Sequence, residues 1–318
     1  MRRLLMLFVG AGLVGAWSLA PTAPSRAPSE RVRGISLGLF ATDPSYDYGT
    51  MVREIADRGA TDLLVVIEWS QSHRLSHDPG PGARTASDET LIRTLRQGHQ
   101  AGLRVGLMPI IRLPETTTGR WRGSLDPVRP AEWMQTYSDA VVPLAQLARA
   151  EGVERLIVGS ELVTMQRHRA PWEALIARVR SVYDGRVVYA ANWDALDLPF
   201  AASLDEIGVS AYFSLADEGE RPDQATLERR WRDPLARLSL LAEQSGRPVF
   251  LAEVGYASYA DAAATPWLLA HAGENVDLET QAQLFRAFCH AAAEDERLSG
   301  YYVWNWFGWG GSTDMGYT

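Results

Sequence analysis

Two glutamates occupy matching places in this 318-residue chain. Glu161 follows the apolar run of "ERLIVGSELVTM" (154–165), and Glu253 follows that of "RPVFLAEVGYAS" (247–258). For Glu161 alone an ordinary structural account exists: Ser160 caps a helix and the carboxylate sits in its first turn, where negative charge is favoured. Two such exits suggest something else. Carboxylates facing each other across a cleft can divide the work of cleaving a glycosidic bond, one protonating the leaving oxygen and one attacking the anomeric carbon.

The elements that must hold them repeat along the chain. "ADRGATDLLVVIEW", "GHQAGLRVGLMPI", "ARAEGVERLIVGSE" and "AEQSGRPVFLAEV" each read as a helix end, a glycine and a buried strand. Gly59, Gly102, Gly152 and Gly246 suit the left-handed position that stops a helix. The strands are near-continuous apolar runs, as in a parallel sheet covered on both faces. They are expected near 34–39, 63–67, 104–110, 155–159, 187–191, 206–211, 248–252 and 300–305. Helical patterns lie between most of them. In "SDETLIRTLRQGHQ", Ser87 or Asp88 is the cap, and Leu91, Ile92 and Leu95 share a face. Eight such units predict one α/β domain over 31–318, a single (β/α)8 TIM barrel. No G-x-G-x-x-G follows the first strand, which removes the main alternative, a dinucleotide fold.

Barrels of this kind place chemistry at the C-terminal ends of their strands. Those ends carry Glu68-Trp69, Pro109 to Arg112, Ser160-Glu161, Asn192-Trp193-Asp194, Tyr212, Glu253 and Trp304-Asn305-Trp306. Strands 4 and 7 lie roughly opposite each other, so Glu161 and Glu253 are the catalytic candidates. Trp69, Arg112, Trp121, Asn192, Trp193, Tyr212, Trp304 and Trp306 are the candidates for substrate contact, with Glu68 a further one. The chain has eleven tryptophans, and indole faces stack on the C–H faces of sugar rings. Trp172, Trp231 and Trp267 read as packing residues on helices.

Composition excludes several alternatives. There is no lysine, so Schiff-base, pyridoxal-phosphate and P-loop chemistry are out. The lone Cys289 rules out intrachain disulfides and a cysteine zinc site. The formal charge is −8, with no basic tract, which argues against nucleic acid. His73 and His77, four apart in "SQSHRLSHDPGPG", read as loop residues rather than a metal pair. His168 and Arg169 read as surface, and "DEGERPD" as a solvated loop. No metal or cofactor is expected, and the chain is expected to be a monomer.

Residues 1–30 stand apart. "MRR" and "LLMLFVGAGLVGAWSLA" have the layout of a secretory signal or an uncleaved signal-anchor, followed by a Pro/Ala/Ser linker. The folded part is therefore expected on the exported side, periplasmic or extracellular. At the other end the chain stops at "DMGYT", so a barrel without its last helix is expected.

The stretches "WRGSLDP" (121–127), "IVGSEL" (157–162), "YDGRVVYAANWD" (183–194), "IGVSAYFSL" (207–215) and "LAEVGYAS" (251–258) occur in the order seen in glycoside hydrolase family 113. The chain resembles that β-mannanase family, part of a clan of retaining TIM-barrel hydrolases. The resemblance implies Glu161 as general acid/base, with the raised pKa, and Glu253 as nucleophile. It also implies Asn192, Trp193 and Tyr212 in the cleft, with Tyr212 near the nucleophile. "PIIRLP" departs from the family, because a histidine-containing segment is expected after this proline. Arg112 there points toward a different, anionic sugar. The leading expectation is a retaining glycosidase acting on a β-mannan-like glycan or on the organism's own exopolysaccharide. The alternatives are a non-catalytic sugar-binding or export-assembly barrel, and an inactive remnant.

Overall fold

The computed structural model describes residues 31–41, 43, 46–114, 121–268, 276–293 and 295–306. The proposed signal or anchor, the linker and the last twelve residues lie outside these. No helix among the described residues is long and apolar enough to cross a membrane.

Eight parallel strands form the barrel: β1 (Val32–Gly38), β2 (Asp62–Ser70), β3 (Arg104–Arg112), β4 (Arg155–Ser160), β5 (Arg186–Asn192), β6 (Glu206–Ser210), β7 (Val249–Val254) and β8 (Gly300–Val303). Each pairs with the next, and β8 pairs back onto β1. The expected TIM barrel is therefore observed. Strand β2 runs three residues past its expected end because Trp69 and Ser70 pair antiparallel with Pro81 and Gly80.

Around the strands lie α1 (Gly49–Asp57), α2 (Asp88–Gln100), α3 (Pro130–Ala150), α4 (Val163–Gln166), α5 (Arg169–Val182), α6 (Gln224–Arg230), α7 (Arg232–Ser245) and α8 (Leu278–Phe288). Only the β5–β6 connection has a 3₁₀ turn, Ala201–Ser203, in place of an α-helix. Ser87 is the cap of α2, its side chain accepting from the Thr90 amide, and Leu91 and Leu95 are buried beneath it. The four glycines that end helices all have positive φ, from 63° to 79°. At that backbone conformation a side chain would cost roughly 1–2 kcal/mol.

Apolar residues divide into two layers by strand parity. Leu64, Val66, Met108, Ile110, Ile157, Val188, Ala190, Phe250 and Tyr302 fill the barrel interior. Leu63, Val65, Ile67, Leu107 and Ile111 belong to the cluster between strands and helices. At the N-terminal end of the barrel the buried Asp62 and Glu206 are held by Arg104, Arg155 and Arg186. Buried charges need such pairing. With that end closed by ion pairs, the cleft lies at the other.

Candidate active site

The cleft at the C-terminal end of the strands has a volume of about 590 Å³. Glu161 enters it from a tight exit of β4. A side chain at Gly159 would lie 2.8 Å from the Trp172 indole and 2.9 Å from the Tyr189 ring, so only glycine fits before the turn. Glu161 itself has φ 53°, the only positive φ at a described non-glycine residue. The turn is braced: the Glu161 amide donates to Ala190 O at 2.8 Å, and the Leu162 amide to the Tyr189 hydroxyl at 3.0 Å. Backbone strain held in this way is typical of functional positions. The helix-cap account fails, because α4 has no side-chain cap. Ser160 instead serves Arg122, whose Nε donates to its carbonyl at 3.1 Å and whose Nη2 donates to its hydroxyl at 3.4 Å.

Arg122 ties the two carboxylates together. Its Nη2 is 3.0 Å from Glu161 Oε2 and 3.6 Å from Glu253 Oε1, so these two oxygens are at most about 6.6 Å apart. Trp121 Nε1 also donates to Glu161 Oε2, at 3.0 Å. The Tyr212 hydroxyl donates to Glu253 Oε2 at 2.9 Å. Glu253 is buried, and its Oε1 lacks a hydrogen-bond donor. Burial and the nearby Glu161 push its carboxyl up to about 7, against the opposing pull of Arg122 and Tyr212. Burial alone would depress the Arg122 guanidinium, but Glu161 and Glu253 more than offset this and hold it above its usual value.

Six of the eight residues expected to contact substrate line this cleft with the two glutamates: Arg112, Trp121, Asn192, Trp193, Tyr212 and Trp304. Trp69 and Trp306 do not. Trp69 is buried in the layer between strands and helices, edge-on to Tyr137 of α3. It lies opposite Ile111, whereas Glu68 lies opposite Ile110 of the interior. Parity therefore turns Trp69 away from the cleft. Trp306 lies beyond the end of β8, its Nε1 donating to Glu54 Oε2 of α1 at 3.0 Å and its ring facing Arg58. Glu68 is not part of the lining either, being paired with Arg84 and Arg112.

Trp267, expected to pack on a helix, stands in the loop after β7 and stacks on Trp193, with centroids 5.6 Å apart and planes 19° apart. It is 44% exposed and lines the cleft. Its position after a strand exit was the signal for this. Trp172 and Trp231 are fully buried packing residues. Sequence reasoning also missed Arg122, which immediately follows the candidate Trp121, and Phe40, two residues past β1. His73 and His77 are spent separately: His73 Nδ1 accepts from the Leu75 amide and His77 Nε2 from the Arg129 amide. No cluster of three potential metal ligands occurs among the described residues.

A closed eight-stranded barrel with paired glutamates at its fourth and seventh strand exits, in an aromatic cleft, defines a barrel hydrolase of glycosides. The chain belongs to glycoside hydrolase family 113, whose model matches residues 42–309. Among solved structures, it is similar to the family 113 β-mannanase AaManA of Alicyclobacillus acidocaldarius, solved with ManMIm. The identity is 27% over 91% of this chain and 93% of that one, with a TM-score of 0.80. A family 113 β-1,4-mannanase, also solved as a complex, matches in fold at 21% identity over 91% and 94% of the two chains, TM-score 0.79. A β-glucuronidase of Ruminococcus gnavus shares the fold at 12% identity over 86% of this chain and 43% of that one, TM-score 0.59. No curated protein matches by sequence. The protein is a glycoside hydrolase acting on β-glycosides.

Proposed function

We propose that the protein cleaves a β-linked, mannan-type glycan with retention of configuration, Glu161 acting as general acid/base and Glu253 as nucleophile. The observation that carries this is the shared contact of both carboxylates with one Arg122 nitrogen, which limits the two oxygens to about 6.6 Å. Retaining pairs stand about 5–5.5 Å apart, and inverting pairs about 6.5–9.5 Å to admit a water. The mannan-type substrate is supported by the family and by the β-mannanases among its structural relatives.

In the first step an oxygen of Glu253 attacks the anomeric carbon while Glu161 protonates the departing glycosidic oxygen. Glu161 then becomes a carboxylate, and Arg122 and Trp121 already point donors at it. Preorganised donors of this kind act where charge develops. In the second step Glu161 takes a proton from water, whose oxygen attacks the anomeric carbon and releases Glu253. The pair must start with one proton between them, on Glu161, and with Glu253 ionised; Arg122 and the Tyr212 hydroxyl favour the ionised Glu253 against the burial and the neighbouring charge that raise its carboxyl. The signal-like sequence of residues 1–30 supports placing this activity on the exported side.

The test is release of reducing sugar by the purified protein from a panel of soluble β-glycans, mannan included, beside the Glu253→Gln variant. Release that the variant loses at least a thousandfold is expected. Release unchanged in the variant, or none from any glycan by a folded protein, contradicts the proposal.

A further inference from the structure

One wall of the cleft carries donors that the carboxylate pair does not use. Arg112, the last residue of β3, lines the cleft with a side chain 49% exposed. Its guanidinium lies over the Phe40 ring, 5.0 Å from the centroid. Its Nε approaches Glu68 Oε2 at 2.9 Å, yet that oxygen has no hydrogen bond, so the contact is an ion pair without alignment. Glu68 also meets Arg84, 3.0 Å from Oε1, so one buried carboxylate faces two guanidinium groups. It is the Nε of Arg112 that faces Glu68, and its half-exposed side chain lines the cleft.

Asn305 adds a second donor. Its Oδ1 accepts from the Gly38 amide at 3.1 Å, while its Nδ2 is buried with no acceptor. Gly38 ends β1 and Phe40 follows two residues later, so both donors gather at the exit of that strand. Arg112 lines the same cleft as Glu253 and Arg122, which puts this wall beside the reacting sugar. A sugar hydroxyl placed here could accept but would have to donate elsewhere. A carboxylate only accepts, and its two oxygens match the planar fork of an arginine.

We propose that Arg112, with Asn305 beside it, binds a carboxylate of the glycan, so that the substrate is an acidic β-glycan with its charged sugar at or next to the cleavage point. This rests on the glycosidase reading and names a feature of its substrate. The carboxylate could belong to the sugar itself, as in a uronate, or to a pyruvate ketal on a neutral sugar.

The experiment measures binding and turnover separately. The full chain carrying Glu253→Gln is titrated calorimetrically with β-1,4-linked mannuronate oligosaccharides, with the same oligosaccharides after carboxyl reduction, and with a pyruvylated mannan oligosaccharide. At least one acidic ligand is expected to bind tenfold tighter than the reduced one, by an amount that falls with salt. Adding Arg112→Gln should abolish this preference, lowering the affinity for the acidic ligand at least tenfold more than that for the reduced one. If that variant does not fold, Arg112→Lys, which keeps the charge against Glu68 but loses the fork, should lower the preference at least threefold. A uronate preference and a pyruvate preference distinguish the two carboxylate sources. Equal or weaker binding of every acidic ligand, or equal loss for acidic and neutral ligands on replacing Arg112, overturns the proposal. Wild-type turnover of the neutral oligosaccharide with no acidic preference overturns it and leaves the glycosidase standing. Arg112-dependent acidic binding without turnover of any ligand supports it and removes the glycosidase.

Discussion

The hydroxyl of Tyr212 donates to Oε2 of Glu253 at 2.9 Å. Tyr212 follows β6 and Glu253 sits in β7, so the bond crosses between neighbouring strand exits and fixes the face that Glu253 presents to the cleft. A hydrogen bond to a charged group contributes about 1.5–3 kcal/mol. Tyr212→Phe should therefore lower kcat/KM by roughly 10–150-fold, with product stereochemistry and melting cooperativity unchanged. Steady-state kinetics with the two proteins side by side checks this; a change below twofold would show that the bond does not orient the nucleophile.

Glu253 gives a stability prediction with a definite sign. Its folded-state pKa, about 7, is raised above the ordinary 4.5. The folded state thus prefers the protonated carboxyl, a contribution fully present below pH 4.5 and lost as pH rises through about 7. Glu253→Gln removes this dependence. The variant should gain on the wild type between pH 4.5 and 7, reaching about 3 kcal/mol at pH 8. Denaturant melts at pH 4 and pH 8 measure the difference, and a gap independent of pH would contradict it.

Arg122 should matter in the opposite sense. Its replacement by methionine leaves two buried carboxylates without their shared cation. A loss of about 3–5 kcal/mol is expected at pH 8, with a smaller loss at pH 4, where the Glu253 carboxyl is protonated. The alkaline limb of kcat/KM reports the last proton leaving the pair. Because Arg122 pulls the Glu253 carboxyl down, that limb should move to higher pH in any active variant, Arg122→Gln included.

The Trp193–Trp267 stack is expected to act through binding rather than chemistry. Trp267→Ala removes one ring of the pair and an exposed wall of the cleft. An aromatic pair contributes about 0.5–1.5 kcal/mol, so KM should rise about two- to tenfold with kcat held within twofold. A fall in kcat alone would place Trp267 in the chemistry instead.

How far the site could be read from the sequence depended on backbone parity. The exits of β4 and β7 were legible because each apolar run ends directly in its glutamate, and the helix-end glycines marked where those runs begin. Trp69 was misplaced because a strand buried on both faces hides its alternation: Glu68 and Trp69 look equivalent until the register against Ile110 and Ile111 is known. Trp306 was misplaced because β8 ends at Val303, after which the chain no longer alternates. Arg122 could not be found by strand-end reasoning at all. It sits in a 3₁₀ turn, Arg122–Ser124, between β3 and α3, and reaches the glutamates by side-chain length.

The most direct test of the account follows the anomeric configuration of the first product by proton NMR, in the minutes before mutarotation, with a β-linked oligosaccharide that the wild-type protein hydrolyses. Double displacement at Glu253 predicts that the new reducing end appears first as the β anomer and only later equilibrates with the α. An α product appearing first would mean a single displacement by water, and Glu253 would then be a base rather than the nucleophile.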